Sequence, residues 1–294
     1  MMPFVLLATC ADPPASAADD APLTAALDEL GVRAEWAAWD DPAAGFSRAD
    51  LVVLRSPWDY TQRREEFLSW CDSLPAVANP ARVARWNTDK SYLADLTERG
   101  LPVVPTRLLK PGERITAADL ADWPDAEFVL KPSVGAGSRG AARFAPGDLA
   151  SAAEHLESLH GGGGLVLVQP YQRVVDREGE TALVFFGGLF SHAFVKGPML
   201  RESSDGELSA GERMRVEPDA ALRSVAEDVM DAAAELLGLR RCDLLYARVD
   251  LVRRDDGAPL VLELEVTEPS LGFGHADPGA PLRCASAVRA ALNG

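Results

Sequence analysis

Two segments near the C-terminal end of the chain, 244–252 and 260–266, alternate charged with aliphatic residues in the period of a β-strand. Residues two apart on a strand share a face, and three acids fall on such faces: Asp250, Glu263 and Glu265. Strands joined by a short turn usually pair, so these carboxylates are expected to crowd together and repel unless a cation lies among them. Mg²⁺ takes such oxygen ligands and often keeps substrate phosphates in its shell. The pattern therefore predicts a metal site.

A solvated strand end with ordinary surface acids is the alternative explanation. It is weakened because aliphatic residues alternate with the acids and predict a core face behind them: Val249, Leu251, Leu262 and Leu264. Arg248 shares a face with Asp250 and forms either a structural ion pair or part of a site. Glu268 falls in the turn after the second strand, out of phase with the other acids. We expect it at most to contact a substrate.

A glycine-rich loop follows the predicted strand Phe128–Lys131. The loop, 134–140, reads VGAGSRG and contains Gly135, Gly137 and Ser138. Small residues let backbone N–H groups approach phosphate oxygens, and Lys131 adds positive charge. The lysine precedes the glycines, so this is not a Walker-type P-loop. Taken alone, the loop is equally well explained as a β-hairpin turn.

Lysine is scarce in this chain, although basic residues are not. Of the 29 basic residues only four are lysine, namely Lys90, Lys110, Lys131 and Lys196. A compact ammonium suits phosphate oxygens, so the contexts of these lysines matter more than their number. The formal net charge of −16 argues against a general nucleic-acid binder. An anionic ligand would need a local basic site.

The overall composition predicts a globular protein with a normal core, and the cysteine usage predicts the cytoplasm. The chain lacks an apolar run long enough to span a bilayer, and its first residues lack the basic start of a signal peptide. Its four cysteines lie far apart without metal-ligand spacing, which predicts buried free thiols. The sequence leaves the oligomeric state open.

The first eighty residues alternate strand and helix. We expect strands at Phe4–Ala8 and Leu51–Leu54, each followed by a helix, at 23–30 and 64–71. This order predicts a small parallel α/β unit. Farther along, a helix is predicted over Asp89–Arg99, with Asn87 or Thr88 as its N-cap, and a hairpin joins 182–186 to 190–195. The fold class is α/β (α+β).

These features in this order resemble the ATP-grasp superfamily, from about Asn87 to Ser270. ELEVTEP is similar to the metal-binding segment of prokaryotic glutathione synthetases. RSPWDY, RWNTDKSYLADL, QPYQRVVDREGETALVFF, FSHAFVKGP and YARVDLV resemble more closely the branch of the O-ureido-serine cyclo-ligase of D-cycloserine biosynthesis. The resemblance implies an N-terminal pre-ATP-grasp domain over residues 1–86, a central subdomain over 87–167 and a C-terminal subdomain with the metal site over 168–294.

The resemblance also implies roles for residues. Lys90 and Lys131 match the lysines that hold the α- and β-phosphates of ATP, and Lys196 matches a γ-phosphate lysine. Arg248 matches the residue that stabilises the transferring phosphoryl group. The remaining matches are the phosphate loop with Gly135, Gly137 and Ser138, the adenine hinge Gln169, Pro170 and Tyr171, the ribose acid Asp176, and Asp250, Glu263 and Glu265 as ligands of two Mg²⁺ ions. Position 265 is often Asn in the superfamily.

The segment RSPWDY follows a predicted strand end, where open α/β sheets place ligand contacts. Arg55 is expected to pair with a substrate carboxylate, and Trp58 to wall the pocket. A helix N-terminus with buried aromatics explains Trp58 equally well. Asp12 follows the first strand and is a further substrate candidate, with Glu268.

The predicted activity is an ATP- and Mg²⁺-dependent ligase that activates a small carboxylate as an acyl phosphate for attack by a nitrogen nucleophile. The nitrogen belongs to the same or a second molecule. Two alternatives stay open at this point: an ATP-grasp kinase that stops at a phosphorylated product, and an ATP-binding module without catalysis.

Overall fold

The N-terminal region folds around a parallel four-stranded sheet, as its alternating strands and helices predict. The computed structural model describes residues 2–13, 15–200 and 213–293. The strands are β1 (Phe4–Thr9), β2 (Arg33–Ala38), β3 (Leu51–Ser56) and β4 (Val77–Ala78), in the order β2-β1-β3-β4. The helices are α1 (Pro22–Glu29), α2 (Arg64–Ser73) and α3 (Ala81–Asn87). Alternate residues of β1 and β3 pack towards α1 and α2, so this sheet is buried on both faces.

A second, antiparallel sheet forms the central region. After α4 (Tyr92–Glu98) come β5 (Arg107–Leu109), β6 (Phe128–Pro132), β7 (Ala142–Phe144), α5 (Leu149–His160) and β8 (Val166–Pro170). The strand order is β5-β8-β6-β7, and α5 packs against β6, β7 and β8. The subdomain boundary predicted between residues 167 and 168 falls inside β8. Because the whole of β8 belongs to the central sheet, the central region extends beyond that boundary.

The helix predicted over Asp89–Arg99 begins later, at Tyr92. Neither Asn87 nor Thr88 caps it, so that prediction is wrong. Asn87 ends α3, and its buried side chain binds the backbone of a distant strand instead.

The third sheet is the largest and carries most of the charged residues of interest. After α6 (Val175–Glu178), its strands are β9 (Glu180–Phe186), β10 (Leu189–Lys196), β11 (Arg213–Val216), β12 (Tyr246–Arg253) and β13 (Pro259–Glu265). Their order is β11-β10-β9-β12-β13, and all neighbours are antiparallel. One face packs on α7 (Ala220–Leu236), while part of the other packs on α8 (Ala280–Ala291) and the N-terminal unit.

The register of β12 and β13 confirms the predicted pairing. Asp250 lies opposite Glu263, and Arg248 lies opposite Glu265. An irregularity follows at Asp250/Leu251, where β13 carries one extra residue, Leu262. Leu262 lines the large cavity and packs on the small apolar cluster beside it, not with Leu264 against α7, so its predicted place on the same core face as Leu264 is wrong.

Two further findings concern the burial of the cysteines and the apolar character of the helices. Cys10, Cys71 and Cys284 are buried free thiols, but Cys242 is exposed, so the prediction of four buried thiols fails there. Among the described residues, none of the helices combines the length and the apolar character needed to cross a bilayer.

Candidate active site

A cavity of about 690 Å³ lies where the three sheets meet. The glycine-rich loop, the end of β8, and residues of β10, β12 and β13 contribute to its wall. Every predicted metal-binding acid except Asp250 is on its lining, together with all three lysines that the resemblance places near phosphate: Lys90, Lys131 and Lys196. Asp250 is fully buried just behind the wall and is held by Lys196 and Arg248, which do line it.

The carboxylate groups of Asp250, Glu263 and Glu265 form a tight cluster. One oxygen from each lies within 4.8 Å of the others. Arg248 bridges two of them: its Nε donates to Asp250 Oδ1 at 2.8 Å and its Nη2 donates to Glu265 Oε1 at 2.5 Å. Hard oxygen donors at this spacing suit Mg²⁺.

Two of the lysines neutralise the same cluster. Lys90 Nζ lies 3.1 Å from Glu263 Oε1 and donates to the Gly135 carbonyl at 2.7 Å, so it joins the acids to the loop. Lys196 Nζ lies 2.7 Å from Asp250 Oδ2 and 2.9 Å from Glu180 Oε2. Lys131 has no carboxylate within ion-pair distance among the described residues.

The acids respond differently to burial, which by itself disfavours their charged form. Arg248 and Lys196 overcome burial at Asp250 and hold its pKa at about 2. Lys90 and Lys131 likewise lower the pKa of Glu263. At Glu265 burial prevails and raises the pKa to about 7, with help from the charges of Glu263 and Asp250. Without a bound cation, Glu265 is therefore the acid whose charge is least compensated.

Burial also acts on Lys131 and lowers the pKa of its ammonium, and the charge of Lys90 adds to this effect. An anion beside Lys131 would offset both influences, as expected of a lysine that meets phosphate.

The glycine-rich loop connects β6 to β7 and faces the cavity. Gly135, Gly137 and Ser138 all line it. Gly137 and Ser138 have φ values of 62° and 57°, a left-handed conformation that glycine adopts freely and serine seldom does. The loop is thus a hairpin connection, as one reading predicts, and also part of the cavity wall, as the other predicts.

The hinge residues Gln169, Pro170 and Tyr171 line the cavity at the end of β8. Asp176 does not. Its carboxylate accepts a hydrogen bond from the Tyr171 hydroxyl at 2.6 Å and pairs with Arg143 at 3.1 Å, so it contacts the hinge from outside the cavity wall.

Glu180 lines the cavity four residues farther on and was missed by sequence reasoning. The sequence offers one clue to Glu180, which is the glycine before it. Only a glycine fits at position 179, because a Cβ there would lie 2.4 Å from the Lys196 carbonyl oxygen, and the start of β9 therefore packs closely against β10.

Three of the four predicted substrate residues line the cavity, namely Asp12, Trp58 and Glu268. The Trp58 indole donates to the Glu268 carbonyl at 3.0 Å. Burial raises the pKa of the Glu268 carboxyl to about 7, although the Tyr60 hydroxyl and Lys90 oppose this shift. Glu268 can therefore be neutral near pH 7 until a cationic partner arrives.

Arg55 does not line the cavity, and its predicted contact with substrate is corrected by the structure. Its side chain is fully buried beneath the ring of Tyr246. Its guanidinium donates to Asp20 at 2.9 Å and to the Pro269 carbonyl at 2.7 Å. Arg55 thus binds the segment after β13 on the side that faces away from the cavity.

Further buried polar side chains, which sequence reasoning missed, bind the end of β13 and the residue that follows it. Asn87 donates to the Leu264 carbonyl and accepts from the Val266 N–H, while the Tyr92 hydroxyl bonds both backbone groups of Leu264. Asn79 donates to the Val266 carbonyl. Nothing in local spacing indicates these contacts, because each joins residues more than 170 positions apart.

Comparison with known proteins identifies the family of this site. The chain is 40% identical over 278 residues to the cycloserine biosynthesis protein DcsG of Streptomyces lavendulae, with 92% of each chain covered. The chain belongs to the DcsG family. Residues 5–82 also match the family model for the N-terminal domain of the D-cycloserine synthetase DcsG.

The solved structure of D-cycloserine synthetase DcsG matches this chain with a TM-score of 0.91 and 38% identity, covering 98% of this chain and 99% of that one. The D-alanine–D-alanine ligase of Bacillus anthracis in complex with ATP matches with a TM-score of 0.69 and 17% identity, over 100% and 98% of the two chains, and so shares the fold. These findings confirm the ATP-grasp fold and its N-terminal α/β unit. The DcsG-family chain is an ATP-dependent ATP-grasp ligase.

Proposed function

We propose that this ligase transfers the γ-phosphoryl group of ATP to a substrate carboxylate and then joins the acyl phosphate to a nitrogen of the same molecule. The observation that carries the proposal is the cluster of Asp250, Glu263 and Glu265, which meets three lysines at one cavity. Phosphoryl transfer depends on positioning and charge neutralisation, and this arrangement offers both.

The nucleotide would lie between the glycine-rich loop and the hinge. Lys90 and Lys131 would hold the α- and β-phosphates, and the N–H groups around Gly135, Gly137 and Ser138 would cover them. Gln169, Pro170 and Tyr171 would border the adenine. We assign the ribose to Glu180 instead of Asp176, because Glu180 lines the cavity and Asp176 is engaged by Arg143 and Tyr171.

The acids fit Mg²⁺, since three buried or half-buried carboxylates supply hard oxygen ligands within 4.8 Å. We propose that they hold two ions. When bound, such ions neutralise phosphate charge and align the triphosphate. The 2.5 Å contact from Arg248 to Glu265 keeps this third acid turned towards the cluster.

The chain's own cations would act at the reacting group. Lys196, already beside Asp250, would contact the γ-phosphate, and Arg248 would stabilise charge on the transferring phosphoryl group. In the first step a carboxylate oxygen of the substrate bonds to the γ-phosphorus and ADP leaves. In the second step the nitrogen bonds to the acyl carbon, loses a proton, and phosphate leaves.

The substrate class follows from the relatives, whose names attach them to cycloserine. O-ureido-serine, a small amino acid with a reactive carboxylate and an internal nitrogen, is our first candidate. Glu268 would face its ammonium group, with Trp58 and Asp12 at the sides of the pocket. An ammonium close to Glu268 would offset the buried charge of that carboxylate.

The test is release of ADP and phosphate from ATP, measured with O-ureido-serine and with a panel of other amino acids, and analysis of the products by mass spectrometry. A cyclised product with equal amounts of ADP and phosphate supports the proposal. A stable phosphorylated product would indicate a kinase instead, and ATP binding without turnover on any substrate would indicate a binding module.

A further inference from the structure

Arg213, the first residue of β11, lies in the cavity wall but was not among the predicted site residues. We propose that Arg213 and the hydroxyl group of Ser270 bind the carboxylate of the substrate and set the enzyme's requirement for that group. The inference rests on the proposed function, because it places the carboxylate beside the γ-phosphate end of the nucleotide site.

The position of Arg213 is fixed from two sides. It pairs directly with Lys196 in the register of β10 and β11, so the two cations lie on neighbouring strands at the same level of the sheet. Its guanidinium carbon lies 5.5 Å from the centre of the Phe194 ring. A guanidinium held over an aromatic face keeps its planar fork oriented, which suits a planar anion such as a carboxylate.

Ser270 connects Arg213 to the proposed catalytic arginine. Its hydroxyl oxygen accepts from Arg213 Nη1 at 2.8 Å, and its carbonyl accepts from Arg248 Nη1 at 3.1 Å. Since the hydroxyl accepts from Arg213, its own proton remains available to donate to a carboxylate oxygen. The serine is only 9% exposed, so this donor is held in one place.

The two arginines differ in how much of their charge is already used. Arg248 donates to Asp250, Glu265 and the Ser270 carbonyl. Arg213 has no carboxylate within ion-pair distance among residues 2–13, 15–200 and 213–293. Burial and the charge of Arg248 both lower the pKa of Arg213, and a bound anion would relieve both.

A carboxylate suits this position better than a further phosphate group. The lysines already offer point charges to the triphosphate, whereas the Arg213 fork can give two parallel hydrogen bonds to one carboxylate. A carboxylate held there would lie near Lys196, where the γ-phosphoryl group is expected. Arg213 would therefore position the substrate carboxylate oxygen that bonds to the γ-phosphorus.

The experiment compares Arg213→Met and Arg213→Lys with a matched control, Arg215→Met. Arg215 lies on the same strand, is exposed and does not line the cavity. Calorimetry measures the affinity of each protein for AMP-PNP with Mg²⁺, and then for O-ureido-serine in its presence. We expect Arg213→Met to lower the affinity for O-ureido-serine by about 10- to 100-fold, while the affinity for AMP-PNP stays within about threefold of wild type. Arg213→Lys should lose less affinity for O-ureido-serine than Arg213→Met does, and Arg215→Met should match wild type.

A loss of nucleotide affinity in Arg213→Met, or an unchanged affinity for O-ureido-serine, would overturn the proposal. If wild type neither binds nor turns over O-ureido-serine, the proposed substrate fails separately. Binding of D-serine and of D-serinamide, which differ only in the carboxylate group, then tests the carboxylate site by ligand-observed NMR with AMP-PNP and Mg²⁺. The proposal requires wild type to bind D-serine in preference to D-serinamide and Arg213→Met to lose that preference; any other result overturns it.

Discussion

The β12–β13 hairpin and the carboxyl edge of the N-terminal sheet both carry charged residues that the sequence predicts to face a ligand. In the hairpin, Asp250, Glu263 and Glu265 do converge. At the sheet edge, Arg55 turns away from the cavity and is fully buried against Asp20 and Tyr246. The same type of inference succeeds in one region and fails in the other.

The difference comes from where the partners of each side chain lie in the chain. In a hairpin, strand period and register fix which residues share a face, and both can be read from neighbouring residues. The partners of Arg55 are 35 and 214 positions away, in Asp20 and Pro269. Whether a strand-end arginine meets a ligand or a domain interface is thus decided by tertiary packing.

The largest expected effect comes from the hairpin. Glu263→Gln removes one charge from the cluster, and we expect ADP release to fall by about 1,000-fold, because metal and phosphate charge would be poorly balanced. Steady-state ADP release measures this. Asp255→Asn, in the exposed turn that joins β12 to β13, is the control and should keep wild-type activity. Glu263→Gln with normal turnover would remove the cluster from the mechanism.

Arg55→Met tests the other region. It leaves Asp20 buried without its partner, so we expect a loss of about 4 kcal/mol in the free energy of unfolding by urea. Arg33→Met, in an exposed ion pair, should cost less than about 1 kcal/mol. Adding Asp20→Asn to Arg55→Met should recover part of the loss. A variant of normal stability with a raised KM for substrate would instead return Arg55 to the ligand site.

Glu268 lies between the two regions and predicts a pH effect. Its pKa of about 7 lies above its ordinary value of 4.5, so the folded state favours its neutral form. The neutral carboxyl therefore stabilises the folded state by up to about 3 kcal/mol. This stabilisation is fully present below about pH 4.5, decreases as the pH rises from there, and is lost once the pH has passed through 7. In EDTA and without nucleotide, Glu268→Gln should therefore reduce the fall in unfolding free energy between pH 5 and 8. An unchanged pH profile would contradict the assignment.

The sequence was sufficient for features set by local pattern. The parallel N-terminal sheet, the pairing of Asp250 with Glu263, and the loop beside Lys131 all follow from period, turn length and composition. The family resemblance added the ATP-grasp fold, which the comparisons confirm.

Other features depend on contacts that spacing does not encode. The extra residue in β13 turns Leu262 into the cavity, because a bulge shifts the strand phase by one position. Arg143 and Tyr171 engage Asp176 and leave the cavity wall to Glu180. Asn87 looks like a helix cap in the sequence but bonds to a strand 177 residues away.

The central claim is that the β12–β13 hairpin holds the metal ions that accompany ATP. Electron paramagnetic resonance of Mn²⁺, titrated in the presence of AMP-PNP, measures this directly. We predict two bound Mn²⁺ ions per chain in wild type and fewer than two in both Asp250→Asn and Glu263→Gln, with thermal unfolding confirming that the variants are folded. Folded variants that bind Mn²⁺ as wild type does would contradict the account.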